Sequence, residues 1–226
     1  MNYLSKKELT QLRKIPDLVV PDDSIFELPE KVLQFGTGVL LRGLPDYLID
    51  KANRQGIFNG RIVVVKSTDS GDSSAFDTQD GLYTLCMRGV ELGQNIEENI
   101  ICSAISRVLS AKYQWQSVLD CAKNPELQII ISNTTEVGIQ LVQDNISDMP
   151  PTSFPGKLLA FLYARFTAFG GTKESGLVIV PTELIIDNGS KLESIVIELA
   201  HRNGLESDFL DWLESANYFC NSLVDR

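Results

Sequence analysis

The most specific chemical signal in this 226-residue sequence is the tripeptide Gly36-Thr37-Gly38. It follows a short apolar run at 31–35 and precedes a helical pattern. Such a turn lets a ligand approach the bare backbone and directs amide N–H groups at it from the start of a helix, which suits the diphosphate of a dinucleotide. The alternative is a tight turn that binds nothing.

The pattern departs in two places from the full dinucleotide-binding fingerprint. A third glycine is expected at position 41, where the chain has Leu41, and Gly43 follows two residues later. Arg42 either donates charge-assisted hydrogen bonds to a phosphate or lies in solvent. In the full fingerprint an acidic residue about 20 residues further on binds the ribose. Asp69 is the candidate for this role, although it equally suits an Asx-turn. Lys66 leaves the choice between NAD and NADP open.

A second polar segment, at 132–136, directly follows another apolar run. Its small side chains, Asn133, Thr134 and Thr135, suit contacts with the nicotinamide half of a dinucleotide. They also suit a helix cap, with Asn133 or Thr134 as the N-cap residue and Glu136 in the first turn. The two roles are compatible.

The net charge and the hydropathy of the sequence exclude several classes of function. Thirty acidic residues against twenty basic ones give a formal net charge of -10, which argues against a nucleic-acid partner. No apolar run approaches the ~18 residues that span a bilayer, and the N-terminus lacks the apolar core of a signal peptide. We therefore expect a cytoplasmic protein with no nucleic-acid or membrane partner.

The cysteines and the single histidine suggest no metal chemistry. The four cysteines are widely spaced, without a C-x-x-C pair and without a neighbouring histidine. This pattern predicts buried, reduced thiols and no metal site. His201 sits where a helix is predicted to end, a position that favours a positive charge.

The elements that must position these residues alternate along the chain. Strands are predicted at 31–35, 61–66, 127–131 and 177–180, and helices at 39–52, 114–123, 154–169, 190–202 and 206–215. Within helix 39–52 the spacing places Leu40, Leu44, Tyr47 and Leu48 on one apolar face. A run at 82–87 turns back through 88–93 toward 100–108, which predicts an inserted β-hairpin.

This order predicts an α/β fold: a Rossmann-like, doubly wound, mostly parallel sheet with an inserted hairpin. Residues 1–30 are polar and interrupted by prolines, and are predicted to form a leader on the surface. Residues 31–226 then form the dinucleotide-binding domain. Ligands of such sheets bind beyond the carboxyl ends of the strands, where the strand order reverses.

Six motifs, including the two segments above, occur in order along the chain and make the prediction of the function more specific. They lie at 32–43 (VLQFGTGVLLRG), 79–84 (QDGLYT), 132–136 (SNTTE), 154–158 (FPGKL), 181–189 (PTELIIDNG) and 219–226 (FCNSLVDR). Together they resemble the polyol-specific long-chain dehydrogenase (mannitol dehydrogenase-like) family, and most closely its tagaturonate reductase (altronate oxidoreductase) branch.

The resemblance implies an NAD-dependent, metal-independent enzyme of hexuronate breakdown that interconverts tagaturonate and altronate. Fructuronate reductase or mannitol dehydrogenase activity, or a Rossmann-like binding module without catalysis, are the alternatives. It further implies a C-terminal helical domain that carries the catalytic lysine and is absent from this chain. Apolar surface is then expected to be exposed where that domain docks.

The resemblance also assigns candidate site residues. Asn188 matches an asparagine that helps to polarise the substrate carbonyl, although Asn188-Gly189 taken alone is a turn dipeptide. Asp225 matches a signature aspartate near the active site. Thr182 is a departure, because relatives usually have cysteine after the proline. The cofactor-binding candidates are Phe35, Gly36, Thr37, Gly38, Leu41, Arg42, Asp69, Asn133, Thr134 and Thr135.

Overall fold

The computed structural model describes residues 3–67, 74–134 and 138–223. The strands are β1 (Leu18–Val19), β2 (Glu30–Phe35), β3 (Arg61–Lys66), β4 (Tyr83–Glu91), β5 (Gln94–Cys102), β6 (Ile105–Ser110), β7 (Ile129–Ser132), β8 (Val178–Pro181) and β9 (Tyr218–Phe219). The helices are α1 (Leu9–Leu12), α2 (Val39–Gly43), α3 (Pro45–Arg54), α4 (Ser74–Thr78), α5 (Trp115–Cys121), α6 (Phe154–Phe169), α7 (Asn188–Arg202) and α8 (Ser207–Ala216). None of these helices is both long and apolar enough to cross a membrane.

A six-stranded sheet has the order β6-β3-β2-β7-β8-β9. The pairings of β2 with β7, β7 with β8 and β8 with β9 are all parallel. Ile130, in the middle of β7, pairs with Leu33 of β2 and with Ile179 of β8, and all three side chains are buried. Strands buried on both faces read as continuous apolar runs, so the prediction of a mostly parallel, Rossmann-like sheet is confirmed.

The predicted hairpin is also present, in a separate three-stranded sheet of order β1-β5-β4. β4 and β5 are antiparallel and are joined by Leu92 and Gly93, whose φ angles are 51° and 80°. Two consecutive positive φ angles are typical of a type I′ turn, which matches the twist of the two strands. The run predicted at 100–108 is divided, its first part belonging to β5 and its last part to β6.

The chain forms two compact units built from interleaved segments. The first consists of residues 1–30, 38–64 and 70–108, and the second of 31–37, 65–69 and 109–226. In the first unit, Leu9 packs in a core cluster with Leu82 and Ile101 and is 1% exposed. Apolar side chains of the N-terminal segment thus belong to this core, and the division into a leader at 1–30 and a cofactor domain at 31–226 stays a prediction.

The predicted helix 39–52 is interrupted at Leu44, which separates α2 from α3. Pro45 is the cause, since a residue that precedes proline is disfavoured in the α conformation. The apolar face is also wrong: Leu44 and Leu48 are about half exposed, with 50% and 52% of their surface accessible. The buried face of α3 includes Asp50, which accepts hydrogen bonds from the Ser103 N–H (2.7 Å) and hydroxyl (2.8 Å).

A buried arginine side chain, Arg165, takes part of the space of the apolar core in the second unit. Arg165 of α6 is 2% exposed. Its guanidinium donates to the carbonyl oxygens of Ala122 (3.1 Å), Asn124 (2.9 Å), Leu127 (3.1 Å) and Ser175 (2.6 Å). Burial lowers the Arg165 pKa to about 10, so the group is still charged at neutral pH. Arg165 thereby ties α6 to the two segments that lead into β7 and β8.

The prediction of buried thiols holds for two of the four cysteines. Cys102 and Cys121 are buried, whereas Cys86 is exposed and Cys220 is half-buried, and all four are free. Burial raises the pKa of Cys102 to about 12, so this thiol is unreactive at neutral pH. Cys86 lies in β4, where successive side chains alternate between the faces of a sheet that is partly open to solvent.

Candidate functional site

Three loops of the second unit follow the carboxyl ends of β2, β7 and β8. Gly36, Asn133 and Thr182 are the first residues beyond these strands. Since the strands are parallel neighbours, the three loops lie side by side at one edge of the sheet. The strand order reverses between β2 and β7, because β3 lies on the other side of β2. Ligands of doubly wound sheets bind at this position.

The backbone at Gly36 has a conformation that requires glycine. Its φ angle is 124°, a region that side chains rarely enter. The Gly36 N–H donates to the carbonyl oxygen of Val65 at 3.0 Å, which fixes the turn after β2. Gly36 and Thr37 are half-buried. Glycine at position 36 therefore permits the tight turn after β2, and the binding of a ligand there stays a prediction.

Gly38 and Arg42 belong to the first unit. Gly38 is exposed, has φ -67°, and offers open space: no atom lies within 4 Å of the position that a Cβ would occupy. Arg42 is half-buried, with its guanidinium carbon 5.8 Å from the Phe76 ring centroid and 5.9 Å from that of Tyr83. Its carbonyl oxygen accepts from the Tyr83 hydroxyl at 2.7 Å. The Arg42 side chain is therefore partly open to solvent, and its contact with a phosphate stays a prediction.

Two of the cofactor-binding candidates are core residues. Phe35 and Leu41 are each fully buried. The Phe35 ring packs 5.2 Å from the Phe154 ring, centroid to centroid. Burial leaves only their backbone atoms available to a ligand, so their part in cofactor binding stays a prediction.

The loop after β7 is anchored on both sides. The Asn133 N–H donates to the Phe35 carbonyl at 3.0 Å. The side-chain amide of Asn133 donates to the carbonyl oxygen (2.7 Å) and the hydroxyl (3.1 Å) of Thr182. Both amide hydrogens are thus used within the protein. Asn133 holds the loop in place, and its amide nitrogen is not free to bind a ligand in this arrangement.

Glu183 is the residue of this edge that sequence reasoning missed. It is 2% exposed and lies two residues beyond β8. One carboxyl oxygen accepts from the N–H (2.9 Å) and the hydroxyl (3.0 Å) of Thr134, and the other accepts from the Ser132 hydroxyl (3.1 Å). The available signal was a carboxylate directly after a buried parallel strand, at the edge where ligands bind.

Asn188 is the first residue of α7 and is fully buried. Its side-chain amide donates to the carbonyl oxygens of Pro181 (3.0 Å) and Glu183 (3.1 Å) and to the Ser222 hydroxyl (2.9 Å). Its oxygen accepts from the Ser222 N–H at 2.9 Å. The amide nitrogen and the oxygen of Asn188 are both engaged inside the protein. The arrangement makes Asn188 a clamp between the loop after β8 and the segment after β9.

We expect Asn188→Asp to lower the free energy of unfolding of the 226-residue chain by about 2 kcal/mol. The substitution preserves size but replaces the donating amide with a carboxylate oxygen that faces two carbonyl oxygens. Urea denaturation followed by circular dichroism measures the loss. Asn145→Asp is the matched control, because the side-chain oxygen of exposed Asn145 accepts from the Ser147 N–H (2.9 Å), which a carboxylate also does. Equal midpoints for the two variants contradict the clamp.

A groove of about 360 Å³ lies beside the Asn188 clamp. Its walls are residues 183–187 and 221–223. Two of the lining side chains are almost wholly solvent-accessible, Ile186 at 87% and Leu223 at 96%. Apolar side chains are thus exposed along this groove.

The remaining candidates are placed as follows. Asp69, Thr135 and Asp225 lie outside the described residues. His201 is exposed in the last turn of α7, as predicted. Within residues 3–67, 74–134 and 138–223, no cluster of three or more histidine, cysteine or acidic side chains is arranged to hold a metal ion.

Comparisons with known proteins agree with this geometry. Residues 30–226 match the family model of the mannitol dehydrogenase Rossmann domain. The altronate oxidoreductase of Bacillus subtilis (strain 168) is 44% identical over 205 residues, which are 90% of this chain and 43% of that protein. The altronate oxidoreductase of Escherichia coli O7:K1 is 38% identical over 202 residues, 88% of this chain and 42% of that protein.

A solved structure shows the same fold. Pseudomonas fluorescens mannitol 2-dehydrogenase, in a ternary complex with NAD and D-mannitol, matches 96% of this chain and 45% of its own with a TM-score of 0.80 at 21% identity. The chain therefore spans less than half the length of the relatives it matches.

Proposed function

The chain belongs to the mannitol dehydrogenase family, whose Rossmann-domain model it matches. We therefore propose that it is the NAD(H)-binding part of an oxidoreductase that acts on a hexuronate. The proposed reaction is the reduction of the keto group of tagaturonate by NADH, giving altronate. Identities of 44% and 38% to two altronate oxidoreductases support this substrate class. The four free cysteines support a cytoplasmic location, where thiols stay reduced.

The observation that carries the proposal is the glycine turn at the carboxyl end of β2. Gly36 adopts a φ of 124° that keeps the turn tight, and Gly38 leaves open space where a side chain would otherwise stand. These features fit a diphosphate, which must approach the backbone closely. The turn also lies at the reversal point of the strand order, between β2 and β7.

When bound, a nicotinamide supplies the hydride, so the protein has to orient the cofactor and exclude competing reactions. In this chain the anchored loop at 132–134 provides a fixed wall beside the glycine turn. We place the acid that protonates the developing alkoxide outside residues 1–226, because the matched relatives are more than twice as long. The exposed apolar pair Ile186 and Leu223 supports a docking surface for that part.

Fluorescence titration of the 226-residue chain with NADH tests the cofactor. We expect saturable binding, competed by ADP-ribose, and weaker binding of NADPH. Absence of saturable NADH binding overturns the proposed function. The substrate is tested separately, by assaying the complete gene product with NADH and tagaturonate, fructuronate or fructose. We expect the highest kcat/KM for tagaturonate, and a preference for fructuronate or fructose assigns a sister activity instead.

A further inference from the structure

We propose that Glu183 is a positioning residue that fixes the loop at 132–134 in the shape needed to hold the nicotinamide half of the cofactor. The inference rests on the proposed function and deepens it. Glu183 is 2% exposed, and its carboxyl group accepts three hydrogen bonds, all from residues of this loop. It is thus the part of the β8 edge that determines the backbone path after β7.

The position of the loop identifies the half of the ligand that it serves. Doubly wound sheets bind a dinucleotide across the reversal point, with one mononucleotide over each half of the sheet. β7 and β8 form the half that follows the reversal at β2, away from β3. The loop after β7 bridges this point: Asn133 donates to Phe35 on the β2 side and to Thr182 on the β8 side. A change in the loop's shape therefore affects the β7–β8 half of the site, which is the half predicted to hold the nicotinamide.

A carboxyl group is well suited to this position. Burying it is costly unless donors satisfy it, and here one backbone N–H and two hydroxyl groups do so. The half-buried Thr134 N–H is directed to Glu183 at 2.9 Å, so removal of the carboxyl group takes away its acceptor. The loop is then expected to move until that N–H finds another acceptor.

Comparing the affinities of two ligands distinguishes a positioning role of Glu183 from a general loss of stability. ADP-ribose shares the adenosine and diphosphate of NADH and lacks the nicotinamide. We expect Glu183→Ala to weaken NADH binding by about tenfold, the effect of one lost hydrogen-bonding contact, and to leave the affinity for ADP-ribose within about twofold. Glu183→Gln should restore NADH binding, because its oxygen accepts from Thr134 while its amide donates to the Ser132 hydroxyl.

Two further variants keep the test decisive. Glu183→Asp keeps the carboxyl group but is one methylene too short to reach Thr134, so it should reproduce the loss if Glu183→Ala does not fold. Glu214→Ala removes an exposed carboxylate of α8 and should change neither affinity. Equal weakening of both ligands by Glu183→Asp, or no weakening, overturns the positioning role. Failure of the wild-type chain to bind either ligand instead overturns the proposed function, and this inference with it.

Discussion

Replacing Gly38 with valine is expected to weaken NADH binding by about a hundredfold, corresponding to about 2.7 kcal/mol. The proposed diphosphate needs the backbone of the glycine turn at hydrogen-bonding distance. A branched side chain at position 38 occupies the space that a phosphate would fill. Fluorescence titration of the chain with NADH measures the change, and ADP-ribose should lose affinity to a similar extent because it also contains the diphosphate.

The structure predicts that this loss occurs without unfolding. Gly38 has φ -67° and ψ 162°, which a valine adopts readily, and nothing lies within 4 Å of its Cβ position. Gly89→Val in β4 is the matched control, since it adds the same side chain at another position with no atom within 4 Å. Both variants should unfold near the wild-type midpoint. If Gly38→Val binds NADH as tightly as Gly89→Val, the diphosphate does not bind at this turn.

Much of the sheet and its helices was predictable because the signals are local. β3 and β7 are short β-branched runs, which indicate strands buried on both faces. α6 begins after Ser153, whose hydroxyl accepts from the Gly156 N–H, and ends at Gly170 with φ 62°. A capping serine and a left-handed glycine are both visible in the sequence. The bounds of α6 therefore agree with the prediction.

The buried face of α3 was not predictable in the same way. The apolar spacing favoured Leu44 and Leu48, yet the buried face includes Asp50. Its partner Ser103 is 53 residues away in the chain, and a polar residue is buried only where such a partner exists. The periodicity of a helix sequence indicates which face of the helix is apolar. Whether a polar face is buried depends on a hydrogen-bond donor that is distant in the sequence.

The same limit applies to the candidate site. Asn133, Thr134 and Asn188 were identified as candidates because their types donate or accept hydrogen bonds. The sequence gives no indication that Thr182 and Glu183, 49 residues after Asn133 and Thr134, already satisfy their donors. The location of Asn133 and Thr134 beyond the carboxyl end of β7 was correctly predicted. Their role in holding this edge together emerged only from the tertiary contacts.

The largest effect on stability is expected from Arg165→Met, which should lower the free energy of unfolding by about 3–5 kcal/mol. Methionine fills a similar volume but leaves four carbonyl oxygens, those of Ala122, Asn124, Leu127 and Ser175, without the donor that they share. The contact with the Phe169 ring, 4.7 Å from the guanidinium carbon, is also changed. Urea denaturation followed by circular dichroism measures the loss.

Two further substitutions separate hydrogen bonding from charge. Arg165→Lys keeps the positive charge, yet a single ammonium nitrogen cannot reach carbonyl groups on several sides as the planar guanidinium does, so most of the loss should remain. Arg202→Met removes an exposed arginine of α7 that pairs with Glu198 four residues earlier, and should cost less than about 0.5 kcal/mol. If Arg165→Lys is as stable as the wild type, charge alone explains the role of Arg165. If Arg165→Met unfolds at the same urea concentration as Arg202→Met, Arg165 does not hold the segments before β7 and β8 in place.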